Sequence, residues 1–391
     1  MVSRLLTNVS IGGLHVRSSQ VRVIQKDRSH EIAVFDVQQS PPDSSYFQSG
    51  EPVFIEYGWL SRSHVFLGYV NHIEAVYWGS DTPLRDRTIR VFCVGVTYFL
   101  NDAGVDSWRS STASQVAIQI ADKFQLGIAV QESQRVWPLL AQAGMTYWSF
   151  LQKLADKVGY VFRCNGTMLS FHTPLVVFDE QKPSAATFLS QSVSSSPTLH
   201  TFDPISGETA PTAGAYTTRN THGVNIRTGR ATFSSSEGFA GTVANPLGTD
   251  PLFNTFNTQT VSDNSGDIRD TNTADQDRHR WFIEAEATTS GDASVKAGSP
   301  VLLLGLTDRY SGFWYVSGVE HVMQRETETY TMNLSLARDS ESYRYEVPSS
   351  VLPLQTAVDA YGDEFRQAGL SSYRLSVSKR WAVGHSTIRY V

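Results

Sequence analysis

The chain has 391 residues, enough for two to four domains with buried cores. Charged residues make up 18% and aromatics 11%, and Ser, Thr and Gly fill the stretches between apolar runs; this is the profile of a folded, strand-rich protein and not of a disordered one. A net charge of −6 argues against a lasting grip on a phosphate backbone, though not against DNA sliding past without sticking.

Residues 1–10 lack the charged start and apolar core of a signal peptide. No run approaches the roughly 18 apolar residues of a membrane span. Synthesis and assembly in a cytosol are expected. The first hundred residues read as short β-branched or aromatic strands at 21–24, 32–37, 52–57, 64–77 and 88–96, separated by turn clusters such as Ser40-Pro41-Pro42-Asp43. Strands at this spacing suggest a small barrel or sandwich.

The character changes after residue 100. Thr112 with Gln115 forms a capping-box pattern ahead of Val116, Ile120 and Phe124 on one helical face, with Gly127 as the stop. A second helix starts at Thr146 and carries the stripe Tyr147, Phe150, Leu151, Leu154, Ala155 and Val158 before Gly159. A hairpin follows, with Asn165-Gly166 as its two-residue turn, so that Phe162 faces Leu169 and Tyr160 faces Phe171. Residues 179–215, rich in Ser, Thr and Pro, and 235–275, dominated by Gly, Ser, Thr, Asn and Asp, read as linker and long loops around a strand at 223–233. Strands return at 282–287, 301–304, 313–322 and 330–337, and 354–368 has a helical apolar face. The tail from 371 onward has no acidic residue and carries Arg374, Lys379, Arg380 and Arg389, interleaved with Trp381 and other aromatics.

A weak duplication is the most informative feature. Gly50-Glu51-Pro52-Val53 is similar to Gly298-Ser299-Pro300-Val301, and Tyr69-Val70-Asn71-His72-Ile73-Glu74 to Tyr315-Val316-Ser317-Gly318-Val319-Glu320, in the same order and at nearly the same separation. An apolar strand, 88–96 or 330–337, closes each copy. The fold class expected is therefore mainly β with an α+β module. Two related β-barrels, at 1–100 and within 179–345, flank a helix-helix-hairpin module at 101–178, and 346–391 form a C-terminal extension.

Residues 112–174 resemble the helical module of phage baseplate hub proteins of the late-control D family, a base also found in type VI secretion spikes. The stretch runs from Thr112-Ala113-Ser114-Gln115-Val116 through Thr146, Phe150-Leu151 and Leu154-Ala155 to Gly159-Tyr160-Val161-Phe162 and Leu169-Ser170-Phe171. Gly298-Ser299-Pro300-Val301, Ser311-Gly312-Phe313-Trp314-Tyr315-Val316 and Val319-Glu320-His321-Val322 resemble that family's second barrel. The resemblance implies a homotrimer at the tail tip, whose six barrels continue a sixfold tail tube and let DNA pass. It implies as neighbours a distal tail or tail tube protein, a tape-measure protein, and a spike, fibre or receptor-binding protein. It departs from the family in having no spike or lysozyme-like domain after the second barrel.

Little points to catalysis. There is no His-Glu-x-x-His pair, no Gly-x-Ser-x-Gly elbow and no phosphate-binding loop ending in Lys-Ser or Lys-Thr. Asp263, Ser265, Asp267 and Asp270 lack the spacing of a calcium hand, and Arg278 and Arg280 beside Asp275, Asp277 and His279 favour a salt-bridged surface over a metal cluster. His72 with Glu74, and His321 with Glu320, read as surface pairs. Of the two cysteines, Cys93 and Cys164, one disulfide is formally open, and two buried thiols are the favoured state. No catalytic residue, cofactor or metal is assigned. The candidate interface residues are Pro52 and Pro300 on exposed strand edges, Trp148 off its helix's apolar stripe, and Arg374, Lys379, Arg380, Trp381 and Arg389 in a basic docking tail. The alternative reading is an envelope-directed tail-associated hydrolase or carbohydrate-binding tail protein, motivated by the aromatic content and the 235–275 loops.

Overall fold

The computed structural model describes residues 4–38, 47–76, 88–174, 185–190, 198–204, 218–224, 228–237, 255–261, 274, 281, 283–307, 310–338 and 355–356. In chain order the first part forms β1 (Leu5–Ile11), β2 (Leu14–Val16), β3 (Ser18–Lys26), β4 (Ile32–Gln38), β5 (Pro52–Trp59), β6 (Arg62–Val76) and β7 (Thr88–Gly95). The middle forms β8 (Ser107–Thr112), α1 (Ala113–Lys123), β9 (Gly127–Val130), β10 (Val136–Ala141), α2 (Tyr147–Val158), β11 (Val161–Asn165) and β12 (Met168–His172). Then come β13 (Ala186–Leu189), β14 (Leu199–Pro204), β15 (Thr218–Val224), β16 (Ala231–Glu237), β17 (Thr255–Val261), β18 (Ile283–Ser290), β19 (Pro300–Leu304), β20 (Gly312–Gln324), β21 (Thr329–Arg338) and β22 (Gln355–Thr356).

The duplication is visible bond by bond. The Gly50 N–H donates to the Val70 carbonyl at 2.7 Å, and the Gly298 N–H to the Val316 carbonyl at 2.6 Å. Pro52 stands opposite Tyr69, and Pro300 opposite Tyr315. The register slips by one residue between Val70 and His72 in β6, and between Val316 and Gly318 in β20. A β-bulge bends a strand at one place, so a shared bulge is a shared shape. Each copy runs as one strand order, β3-β4-β7-β6-β5-β1 in the first and β14-β18-β21-β20-β19-β13 in the second, and the two differ at the last strand, since β1 is antiparallel to β5 and β13 parallel to β19. Strand alternation supplies the core: Phe35, Val91, Cys93, Ile55 and Phe66 from the first copy meet Ala285, Leu334, Trp314 and Val316 from the second in one apolar cluster.

The fold is mainly β, and the two copies join in one 13-stranded sheet, because β20 is long enough to pair with β19 at its start and with β3 along the rest. Closure of either half into a barrel is not seen among the described residues. The 179–215 segment needs correction: it is not plain linker, since β13 and β14 lie in it, and 223–233 falls on two strands, β15 and β16, rather than one. Of 354–368, only β22 is described; it is extended and pairs with β9.

The helical module follows its local signals. Thr112 caps α1, with the reciprocal Gln115 bond, although the helix ends at Lys123 and Gly127 already opens β9. Thr146 caps α2, and Gly159 ends it with φ 72°. Phe150, Leu151, Leu154 and Ala155 bury the inner face of α2 together with Leu67 and Tyr69 of β6, so the module rests on the first copy. Each of its large apolar side chains stabilises the fold by about 1.5–3 kcal/mol. The hairpin register differs from the expected one: Asn165 pairs with Met168 and Phe162 with Phe171, so the turn is Gly166-Thr167. A distant group sets it. Glu31, fully buried, accepts from the Gly166 N–H at 2.8 Å and from Gln25 at 2.6 Å.

A second buried polar bridge ties the module to the second copy. Arg163 donates to the Tyr315 hydroxyl at 2.8 Å, and Tyr315 donates to Asp27 at 2.7 Å. The Arg163 guanidinium lies directly over Gly298, where an added Cβ would sit 1.9 Å from Arg163 Cζ; nothing comes within 4 Å of the equivalent point at Gly50. Burial raises the carboxyl pKa of both Asp27 and Glu31, opposed at Asp27 by Arg163 and at Glu31 by its hydrogen bonds. Both cysteines are buried thiols; burial raises both, Cys164 to about 12.

Two measurements check this packing. Gly50 and Gly298 both have positive φ, so Gly50→Ala is expected to destabilise by about 1–2 kcal/mol from backbone strain alone. Gly298→Ala adds the collision with Arg163 and should cost clearly more in denaturant melts; equal costs would contradict the bridge. Because the Glu31 pKa is raised from its ordinary 4.5, its contribution is full below that pH and lost as pH rises toward the folded value. Glu31→Gln should therefore gain thermal stability relative to the native chain between pH 4 and pH 7, and a pH-independent difference would contradict this. Glu31→Ala leaves the Gly166 N–H unsatisfied and should cost about 1–3 kcal/mol below pH 4.5, a cost that shrinks as pH rises.

Candidate assembly interface

The place where the two copies meet is an antiparallel seam between β3 and β20. It pairs Lys26 with Gly318, Ile24 with Glu320, Arg22 with Val322 and Gln20 with Gln324. The Asp27 N–H donates to the Ser317 carbonyl at 2.8 Å and the Arg325 N–H to the Ser19 carbonyl at 2.9 Å. In an antiparallel ladder alternate residues point their backbone groups at the same neighbour. The odd-numbered residues of both strands therefore supply the seam's bonds. On its exposed face the seam is closed by charge: Arg22 Nε donates to Glu320 Oε1 at 2.7 Å, and Asn333 on β21 donates to the other Glu320 oxygen at 3.0 Å.

The rest of that face is polar. Lys26, Thr201, Asp203, Glu286, Glu320 and Asn333 line one shallow groove that runs across β14, β18, β21, β20 and β3. In the first copy Arg90 makes a bidentate pair with Asp36 at 2.8 and 3.0 Å, which raises the pKa of the guanidinium. His72 and Glu74 form an exposed pair at 3.5 Å, in line with the surface reading. His321 does not: it is fully buried and bonds the Tyr330 hydroxyl at 2.8 Å, and burial pushes its pKa down to about 3.

Among the open sheet edges of the described residues, which include those of β2 and β13, two stretches bear on how the copies meet. One is the outer side of β14, the strand at one end of the sheet. The other is residues 72–76 of β6, which pair with β7 on one side only. Residues 72–76 lie in the strand that the sequence predicts at 64–77, whereas β14, short and half polar, carries no strand signal.

The sequence-derived interface residues fall elsewhere. Pro52 is buried in β5 between β1 and β6, and its carbonyl accepts from Gly12 at 2.8 Å. Pro300 lies between β13 and β20, and its carbonyl accepts from Ala185 at 2.8 Å. Neither is on an open edge: each proline occupies a first strand position, where its missing N–H is not needed by the ladder. Trp148 is buried as well. Its ring centroid lies 3.7 Å from that of His30 and 4.5 Å from that of Phe162, because the first turn of α2 is covered by the β3–β4 connection as well as by its own hairpin. Arg374, Lys379, Arg380, Trp381 and Arg389 lie outside the described residues, as do Asp263, Ser265, Asp267, Asp270, Asp275, Asp277 and His279. No group of three or more metal-ligating side chains gathers among the described residues, and no described helix is long and apolar enough to cross a membrane.

No family model matches the chain, and no curated protein matches it. Solved structures do. The chain is similar to a tail protein of Neisseria meningitidis MC58, with TM-score 0.64 and 15% identity over 86% of this chain and 97% of that one. It is similar to a 43 kDa tail protein of prophage MuSo2 from Shewanella oneidensis, with TM-score 0.61 and 10% identity over 86% and 99%. It is also similar to an E. coli component of the type VI secretion system, itself described as structurally similar to bacteriophage T4 tail proteins, with TM-score 0.52 and 9% identity over 88% and 80%. At these identities the likeness is one of architecture: the chain shares the fold of these tail and secretion-system proteins over most of its length.

Proposed function

We propose that the chain is a structural hub of a phage tail tip or baseplate, incorporated into the virion after assembly in the host cytoplasm. In this reading three chains form a ring of six related sheet halves, which joins a sixfold tail tube to a threefold tip or spike. The carrying observation is the duplication: two copies with the same strand order, the same bulge and the same turn bonds sit side by side in one chain. A rotation that relates neighbouring copies within a chain and recurs between chains generates a closed ring when it divides a full turn, here into six steps. The tail-protein fold supports the same reading.

The partners that fit are a distal tail or tube protein on the sixfold side, a tape-measure protein within, and a spike, fibre or receptor-binding protein on the threefold side. The role is geometric rather than catalytic. DNA would pass without stable binding: the exposed sheet face sets Asp203, Glu286 and Glu320 beside Lys26 and Arg22, with no excess of positive charge to hold phosphate.

Light scattering on the purified chain, over a range of concentrations and ionic strengths, is expected to show a species near three times 43.3 kDa that grows with concentration. A monomer under every condition would overturn the ring. Tight, salt-sensitive binding of duplex DNA by the same preparation would overturn passive passage.

A further inference from the structure

The seam inside the chain predicts where, and how weakly, a second copy binds. The equivalence of the two halves extends to the strands that form it. In the first copy the β3–β4 register slips between Ser18 and Gln20; in the second, the β14–β18 register slips between Leu199 and Thr201. Aligned on that bulge, Arg22 corresponds to Asp203 and Val23 to Pro204. Aligned on the bulge shared by β6 and β20, Glu320 corresponds to Glu74, His321 to Ala75 and Val322 to Val76. Within the chain, β3 of the first copy pairs with β20 of the second. The counterparts of those two strands, β14 and residues 72–76 of β6, are the open edges described above.

We propose that the outer edge of β14 in one copy of the chain pairs antiparallel with residues 72–76 of β6 in the next copy, with Pro204 opposite Ala75 and Asp203 opposite Val76. This rests on the ring reading above and adds to it the surface, the register and the strength of the contact. The occupant is a second copy because the contact repeats one the chain already makes with itself. Strand addition of this kind satisfies backbone groups that an edge leaves open.

The two seams match in backbone and differ in charge. Inside the chain, Arg22 binds Glu320. Between chains the corresponding residues are Asp203 and Glu74, both exposed and both acidic, with Glu286 directly opposite Asp203 and with Arg90 and His72 beside Glu74. Like charges across a strand pair oppose pairing. Pro204 also has no N–H to give at a position whose counterpart, Val23, faces the seam. The internal seam is thus formed by every chain alone, and the external one is conditional: it strengthens when salt screens the carboxylates or when a partner holds the chains together.

The test is a double variant, Asp203→Cys with Val76→Cys, in the full chain. Directly opposite residues of a non-hydrogen-bonded antiparallel pair lie about 4.5 Å apart at Cα, within disulfide reach. Mild oxidation is expected to give a ladder on a non-reducing gel that ends at three chains, with either single variant giving no ladder. A second variant, Asp203→Arg, restores the charge pattern of the internal seam. It should tighten self-association at low salt by roughly three- to tenfold and reverse the sign of its salt dependence. If the native chain forms trimers but the double-cysteine chain does not cross-link, the ring uses another surface and this inference fails alone. If neither self-association nor cross-linking occurs at any concentration or ionic strength, the ring reading fails with it. Unchanged or weaker association of Asp203→Arg, with cross-linking intact, overturns the charge argument while leaving the register.

Discussion

The pairing of β3 with β20 is the contact on which the rest of the molecule depends. It turns two half-sheets into one and lets a single apolar cluster run from Val9 through Phe35 to Trp314 and Leu336. Each copy on its own would leave an edge and part of an apolar face in water, and neither is tolerated well by an isolated small sheet. The helical module depends on the same contact less directly. Asp27 sits at the end of the seam, and the bond from Tyr315 to Asp27 orients the hydroxyl that Arg163 reaches from β11. Loss of the seam would therefore loosen both the shared core and the bridge to the module.

The two copies have diverged where they meet different neighbours. The turn at Gly50 is open, while its counterpart at Gly298 is roofed by Arg163. Ala75 of β6 corresponds to His321, which is buried and bonded to Tyr330. Charge has diverged most on the seam itself. This is the pattern expected when one backbone geometry serves twice, once within a chain and once between chains, with side chains tuned to make one contact permanent and the other reversible.

Much of this was legible in the sequence, for identifiable reasons. The strands β3 to β7, both helices, their N-caps and the end of α2 rest on local signals: alternating β-branched residues, Thr112 with Gln115, Thr146, and Gly159 at a left-handed position, whereas β1 and β2 had no comparable signal. The duplication was legible because turns and bulges constrain residue type. What escaped depends on distant partners. The hairpin register is set by Glu31, far away in sequence, which takes the Gly166 N–H and moves the turn by one residue. Trp148 lies off the α2 stripe yet is buried, because His30 covers that side of the helix. Pro52 and Pro300 suggested edges, but a proline at the start of an inner strand gives up nothing. Of the strands in the proposed contact between chains, β14 is short and lies in a Ser- and Pro-rich stretch, so neither composition nor period marked it.

If the two halves of the chain are equivalent building units of one ring, as proposed, electron microscopy of the assembled species will show six lobes around one lumen in face-on averages, alike in outline and alternating in detail with threefold symmetry. Three lobes, or an assembly in which the two halves occupy unlike positions relative to the axis, would contradict that equivalence.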